Sequence, residues 1–240
     1  GFGVSLFFID MLTVIEDNLD YIIIGRQFGE EVLGVYTLAY RLPEMLVLSL
    51  LWVLAKVIFP AYATIQDRPD ILRQGFLITL RYLTMFAMPI CLGLLIAAEP
   101  IIRVVFGPNW LEAIPMLRVL AVFALVSSIG FNVGDVYKAV GRTDILIKLS
   151  LIYLASLIPA LWFGAKWYGP LGVAFGHLAV SVFNMVIRLA NASKIVKVNL
   201  LDILAELRPS ILSGIALTVC VVPALLLTES FVPLAQLAVV

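Results

Sequence analysis

With one histidine, His177, and two cysteines, Cys91 and Cys220, the 240 residues leave little from which to build a metal centre or a disulfide framework. Sites needing several histidines are excluded, and both cysteines lie inside apolar runs, where they read as buried thiols. Charge is scarce as well. Only 13% of residues are charged, where a soluble domain has about 25%, and the formal net charge is zero. That balance gives no support for a nucleic-acid partner. Catalytic signatures are lacking too: there is no nucleophile elbow, no His-Glu helix with metal spacing and no Gly-rich phosphate loop. Asp17 and Asp20 resemble the acidic pairs that hold metal in membrane glycosyl or prenyl transferases. Such pairs sit in interfacial loops, whereas these two lie within an apolar span. The expectation is therefore a protein that is not an enzyme and that uses no cofactor.

What the chain has in excess is apolar sequence: 62% of residues are hydrophobic and the mean hydropathy is +1.09. One globular core cannot hide that excess, so the surrounding medium must be largely lipid. Open sheet edges cannot be satisfied in lipid, and the spans must therefore be helices. The fold class expected is all-α, a polytopic transmembrane helix bundle. Six spans are placed at about 3–27, 35–63, 75–98, 114–137, 145–165 and 170–189. A polar connection at 191–208 follows, with an amphipathic piece at Leu200–Leu207 on the membrane surface. A seventh span covers about 209–228, and an eighth opens at Phe231 but stops short of the ~20 residues needed to cross. The chain starts with glycine and has no signal-peptide pattern, so a piece of a longer membrane protein, cut at both ends, is expected. Pro89 and Pro159 inside their spans read first as packing kinks, with a bend used in alternating access as the other reading.

Basic residues give an orientation. The connections at 66–82, 138–148 and 188–208 hold Arg68, Arg73, Arg81, Lys138, Arg142, Lys148, Arg188, Lys194, Lys197 and Arg208. The alternate connections hold Arg26, Arg41, Arg103, Arg118 and Lys166. Ten against five places the first set in the cytoplasm.

The polar residues inside the spans are grouped rather than scattered. In the first span Asp10, Thr13, Asp17, Asp20 and Tyr21 fall within one arc of about 100°, with Glu16 on its shoulder. A charge near the bilayer centre costs roughly 2.5–3.5 kcal/mol on insertion scales, so such residues face protein or water. In the fourth span Ser128, Asn132 and Asp135 share a face, and in the sixth His177, Ser181, Asn184 and Arg188 repeat the pattern. The second span adds Arg41, Glu44 and Lys56. Taken singly, these residues have structural explanations: an i,i+3 ion pair, snorkelling to headgroups, or hydrogen bonds that tie helices together. Taken together, they describe a hydrated cavity with polar walls from several helices. Gly169, Gly172 and Gly176 add a small-residue face suited to close helix packing.

At Asn18-Leu-Asp-Tyr-Ile-Ile-Ile-Gly-Arg-Gln-Phe-Gly29 and Leu33-Gly-Val-Tyr-Thr-Leu-Ala-Tyr-Arg-Leu42 the chain resembles a known family. Further stretches fit it in the same order: Phe59-Pro-Ala-Tyr-Ala-Thr-Ile-Gln-Asp67, then Ala98-Glu-Pro-Ile-Ile-Arg-Val-Val-Phe-Gly-Pro-Asn-Trp110, then Ala139-Val-Gly-Arg-Thr143. The family is the bacterial polysaccharide (oligosaccharide-lipid) flippases of the multidrug/oligosaccharidyl-lipid/polysaccharide exporter superfamily, and the likeness is to their C-terminal half. The resemblance implies two six-helix lobes around a central cavity, of which residues 1–190 are the second lobe and 209–240 extra C-terminal helices. It implies a multi-pass protein of the bacterial inner membrane that flips undecaprenyl-diphosphate-linked oligosaccharides for capsule, exopolysaccharide or O-antigen synthesis by alternating access. Implied partners are the bilayer, the lipid-linked glycan, the other lobe, and polysaccharide polymerase and export machinery. The cavity candidates are Arg41, Glu44, Arg118, Asn132, Asp135, His177, Asn184 and Arg188. Arg41, Arg118 and Arg188 suit a diphosphate or acidic sugar. Asp10, Asp17 and Asp20 are candidates for proton or cation coupling. Two alternatives stay open: a drug or small-molecule exporter of the same superfamily, and a membrane-embedded glycan polymerase or transferase.

Overall fold

The computed structural model describes residues 2–237, with side chains described for 7–223. The described residues are helical almost throughout and include no strand. Two apolar helical stretches are too long to cross a bilayer once: Phe7–Ile65 has 59 residues and Thr143–Val196 has 54. At 1.5 Å per residue either would measure about 80 Å or more, against a hydrocarbon core of about 30 Å. Each doubles back at a glycine. Gly29 has φ 85° and ψ 179°, and Gly169 has φ 63° and ψ −149°, in regions that only glycine enters cheaply.

Residues 2–28 are α1 and residues 30–65 are α2. Pro43 has no amide hydrogen to give to the preceding turn, and α2 widens immediately after it into a π turn, Glu44–Leu48, before continuing as Ser49–Ile65. Helix α3 is Pro69–Ile96, opened by a proline in its first turn and unbroken through Pro89. A short helix (Ala98–Ile101), a π turn (Ile102–Phe106) and a 3-10 turn (Pro108–Trp110) follow, with Gly107 at φ 89° between the last two. Helix α4 is in two pieces, Ala113–Gly130 and Val133–Ala139, separated at Phe131 and Asn132. Residues 143–168 are α5 and 170–196 are α6, and α7 is Leu200–Leu237. The eighth span expected from Phe231 falls where side chains lie outside the described residues, although the backbone is helical to Leu237. Helix covers most of the connection expected at 191–208: α6 runs to Val196 and α7 opens at Leu200. Only Lys197 (φ 55°, a left-handed cap), Val198 and Asn199 lie between them.

The turns gather at two ends. Gly29, Gly107 and Gly169 share one, the glycine end. Here a core of Ile24, Tyr36, Leu117, Leu120, Leu157 and Leu161 is fully buried, with Phe106, Trp110 and Leu171 packed against it. The turns at 66–68, 140–142 and 197–199 share the other, the basic end. Its core includes Tyr62, Phe76, Leu80, Tyr137, Leu146 and Val196. A smaller cluster around Val47, Leu51, Leu83 and Ala87 joins α2 and α3 between the two. The α5–α6 hairpin is held by small residues. A Cβ on Gly172 would collide with the Gly164 carbonyl, and one on Gly176 would lie 2.9 Å from the Ala160 carbonyl oxygen. Gly172 and Gly176 therefore serve helix packing, while Gly169, whose Cβ would meet nothing within 4 Å, makes the turn between α5 and α6. Cys91 is buried as expected, but Cys220 is exposed. It lies on α7, whose main packing partner is α3, so the apolar run around it is a surface for lipid.

Candidate functional site: a polar cleft between the hairpins

A cleft of about 1120 Å³, counting its open mouth, lies between the α1–α2 hairpin, α4 and the α5–α6 hairpin. It runs from Tyr40 and Phe123 toward Asp135 and Lys138 near the basic end. Beyond Tyr40 and Phe123 the helices close on the apolar core of the glycine end.

Helix α1 presents Ile9, Thr13, Glu16 and Asp17 to the cleft. Thr13 Oγ1 donates to the Ile9 carbonyl (3.0 Å), leaving the carboxylates as the charged part of this wall. Glu16 is buried, with one carboxylate oxygen that has no protein partner, whereas Asp17 is exposed. On a helical wheel this face is centred about 40° from the arc through Asp10, Thr13, Asp17, Asp20 and Tyr21. Glu16, expected on the shoulder, is thus a full member. Asp10 is exposed and does not line the cleft.

The wall from α6 is Met185 with Ser181, Asn184 and Arg188, the last three being three of the four residues in its polar stripe. Arg188 has a buried guanidinium nitrogen without a protein partner, and the neighbouring Tyr137 hydroxyl donates to its backbone carbonyl at 3.5 Å. From α4 come Ser127, Gly130, Phe131, Asp135 and Lys138. Lys138 Nζ stands 4.0 Å from one Asp135 oxygen, and the other carboxylate oxygen is buried without a partner. Helix α5 adds Ser150 and Tyr153, and α2 adds Tyr40 and Trp52, whose indole meets the Phe131 ring edge-on at 5.5 Å.

Several candidates lie elsewhere. Asn132 is buried behind the cleft and donates to the Phe76 carbonyl (3.2 Å) and the Tyr62 hydroxyl (3.4 Å), bracing the break in α4. Ser128 donates to the Leu125 carbonyl within its own helix. Arg41 and Glu44 form an i,i+3 pair at 3.1 Å, outside the cleft lining. Arg118 is half-exposed and reaches Glu99 at 3.9 Å, near the Glu99–Arg103 pair. His177 and Asp20 are buried together beyond Tyr40 and Phe123, with His177 Nε2 3.3 Å from Asp20 Oδ2. Among the described residues no group of histidine, cysteine and carboxylate side chains is arranged to hold a metal ion. The sequence reading missed Lys138, Ser150 and Tyr153 as wall residues. The latter two recur with Leu146 at i, i+4, i+7, a spacing that places them on one face.

These features define a multi-pass helical membrane protein with a charged cleft among its helices. Residues 1–115 match a family model described as polysaccharide biosynthesis protein. The lipopolysaccharide biosynthesis protein WzxC of Escherichia coli (strain K12) is 32% identical over 186 residues, covering 78% of this chain and 38% of WzxC. The teichuronic acid biosynthesis protein TuaB of Bacillus subtilis (strain 168) is 33% identical over 187 residues, covering 76% of this chain and 38% of TuaB. The succinoglycan biosynthesis transport protein ExoT of Rhizobium meliloti (strain 1021) is 27% identical over 147 residues, 60% of this chain and 29% of ExoT. The chain is thus related to membrane proteins of polysaccharide biosynthesis and transport, and the matched region spans 38% of the length of the first two. No solved structure matches it significantly.

Proposed function

We propose that the chain is the second lobe of a flippase that carries undecaprenyl-diphosphate-linked oligosaccharides across the bacterial inner membrane, by alternating access through the cleft. The observation that carries this reading is the cleft itself. Charged and hydroxylated walls from α1, α4, α5 and α6 stand inside a bundle whose outer faces are apolar. Such walls let a glycan pass without meeting hydrocarbon, while the prenyl tail stays in lipid. Arg188 and Lys138 line the cleft as its cations and suit a diphosphate or acidic sugar, and Glu16, Asp135 and Arg188 each keep a buried polar atom without a protein partner. Asp17 and Asn184 complete the polar wall. The basic end faces the cytoplasm in this reading.

Aromatic side chains also line the cleft, as a small-molecule exporter would require; Arg188 and Lys138 beside them are the groups suited to a diphosphate, set among the carboxylates Glu16, Asp17 and Asp135. Against a polymerase stands the short connection after α3, which is taken up by helical turns.

The test uses the full-length gene in cells that lack it. Lipid-linked oligosaccharide should accumulate on the cytoplasmic leaflet, be relieved by wild type, and persist with Arg188→Ala or Glu16→Ala. Normal translocation with failed glycan elongation would indicate a polymerase or transferase instead.

A further inference from the structure

Behind the floor of the cleft lies a buried acid–base pair that the cleft does not use. Asp20, on α1, and His177, on α6, are 0% and 2% exposed. Asp20 Oδ1 accepts the Tyr21 amide at 2.8 Å, and Oδ2 accepts the Tyr36 hydroxyl at 3.0 Å. His177 Nε2 stands 3.3 Å from the same Oδ2, off the line of a hydrogen bond, and Nδ1 has no protein partner. The imidazole lies edge-on to Tyr40 at 6.0 Å and to Phe123 at 5.2 Å, the two rings that form the closed end of the cleft.

We propose that Asp20 and His177 together hold one exchangeable proton. This seat is occluded in the present arrangement and reaches water only when Tyr40 and Phe123 swing aside or when α1 and α6 part at the glycine end. The charge argument is simple. With one proton between them, carboxylate and imidazole carry no net charge, whichever of the two bears it. Removing that proton leaves a buried carboxylate offset only by two neutral donors, the Tyr21 amide and the Tyr36 hydroxyl. Adding a second leaves a buried cation, so in either case a net charge is held away from water.

The groups facing the pair do not supply the missing charge. Asp17 and Tyr21 lie on α1, and Tyr36, Tyr40 and the mutually neutralising Arg41–Glu44 pair lie on α2. Tyr153 of α5 lies near Tyr40, and α4 contributes Phe123, which is uncharged. Among the described residues no unpaired cation lies against the pair, so the proton stays until water arrives. Proton release is thereby tied to the helix movement that opens one end. One proton is taken up from water at one end and given to water at the other, with no bond or redox change elsewhere.

This inference rests on the flippase reading, and one assay separates the two. Full-length protein is placed in liposomes with a fluorescently labelled prenyl-diphosphate disaccharide, and its movement between leaflets is followed with and without a pH gradient of one unit. For wild type the gradient should raise the rate several-fold, up to about tenfold for one proton per cycle. Asp20→Asn and His177→Gln should move the probe without a gradient at no less than about a third of the wild-type rate, yet show no response to the gradient, and Asp20→Glu should keep a response. A wild-type response in Asp20→Asn or His177→Gln overturns the proton seat. So does loss of all movement in the three variants, since the pair is then a structural tie. Wild-type movement that ignores the gradient also overturns it and leaves the flippase reading standing. Wild type that does not move the probe at all removes both.

Discussion

Gly164 and Gly172 face each other across the α5–α6 hairpin so closely that a methyl group on either would enter the other's carbonyl. Backbone cannot swing aside as a flexible side chain does, so Gly172→Ala is expected to destabilise the protein by about 1–3 kcal/mol or more. Gly34→Ala is a matched control. Its Cβ would meet nothing within 4 Å, and the residue sits in regular helix. Thermal unfolding of the detergent-solubilised full-length protein should lower the midpoint for the first substitution and leave it nearly unchanged for the second. At this scale the sequence was legible where periodicity alone sets a residue's environment, as for Ser181, Asn184 and Arg188, which stay on one side of an unbroken helix. It was less legible where a helix breaks. The interruption at Phe131 and Asn132 turns Asn132 to the back of α4 while Asp135 faces the cleft, so three residues assigned to one face divide between two. His177 shares its stripe's angle but lies a turn deeper, and a wheel projection does not resolve depth.

Among the elements, α7 is the outlier: it packs mainly against α3 and exposes Leu201, Leu204, Leu212, Ile215 and Val219. Two ion pairs fix its start to α3: Arg73–Asp202 at 2.7 Å, and Arg81–Glu206. One turn further in, the Thr84 and Ser210 hydroxyls meet at 2.8 Å. Glu206→Arg should set like charges against each other and loosen α7, read as faster proteolysis at 197–199. Arg81→Glu combined with Glu206→Arg should restore protection, whereas two independent surface effects would simply add. These pairs hold the helix at 200–208, the second part of the polar-looking stretch 191–208, whose first part continues α6. Charges spaced by four along it meet complementary charges on α3 as well as water. A one-sequence pattern contains no record of that partner. The existence of the spans was readable throughout from apolar length, because lipid leaves the backbone no alternative to helix.

For the whole molecule, the two ends are built differently. The glycine end is sealed by a large apolar core, while the polar cleft reaches toward the basic end. Introducing one cysteine at a time into full-length protein lacking its native cysteines tests this asymmetry. A water-soluble maleimide should label Asn184→Cys readily and Asn132→Cys very little, since Asn132 is fully buried behind the cleft. Labelling of Asn184→Cys should fall when prenyl-diphosphate oligosaccharide is present. The single-residue turn at Gly29 also bears on how the protein enters the membrane. Translocon scales charge roughly 2.5–3.5 kcal/mol for a carboxylate at a helix centre, and α1 carries Glu16, Asp17 and Asp20. The phenol that satisfies Asp20 is Tyr36 of α2, reached only after the chain has turned at Gly29. Helix α1 is therefore expected to leave the translocon paired with α2 as one hairpin, so the order of synthesis, in which acid precedes phenol, favours a wait at this turn.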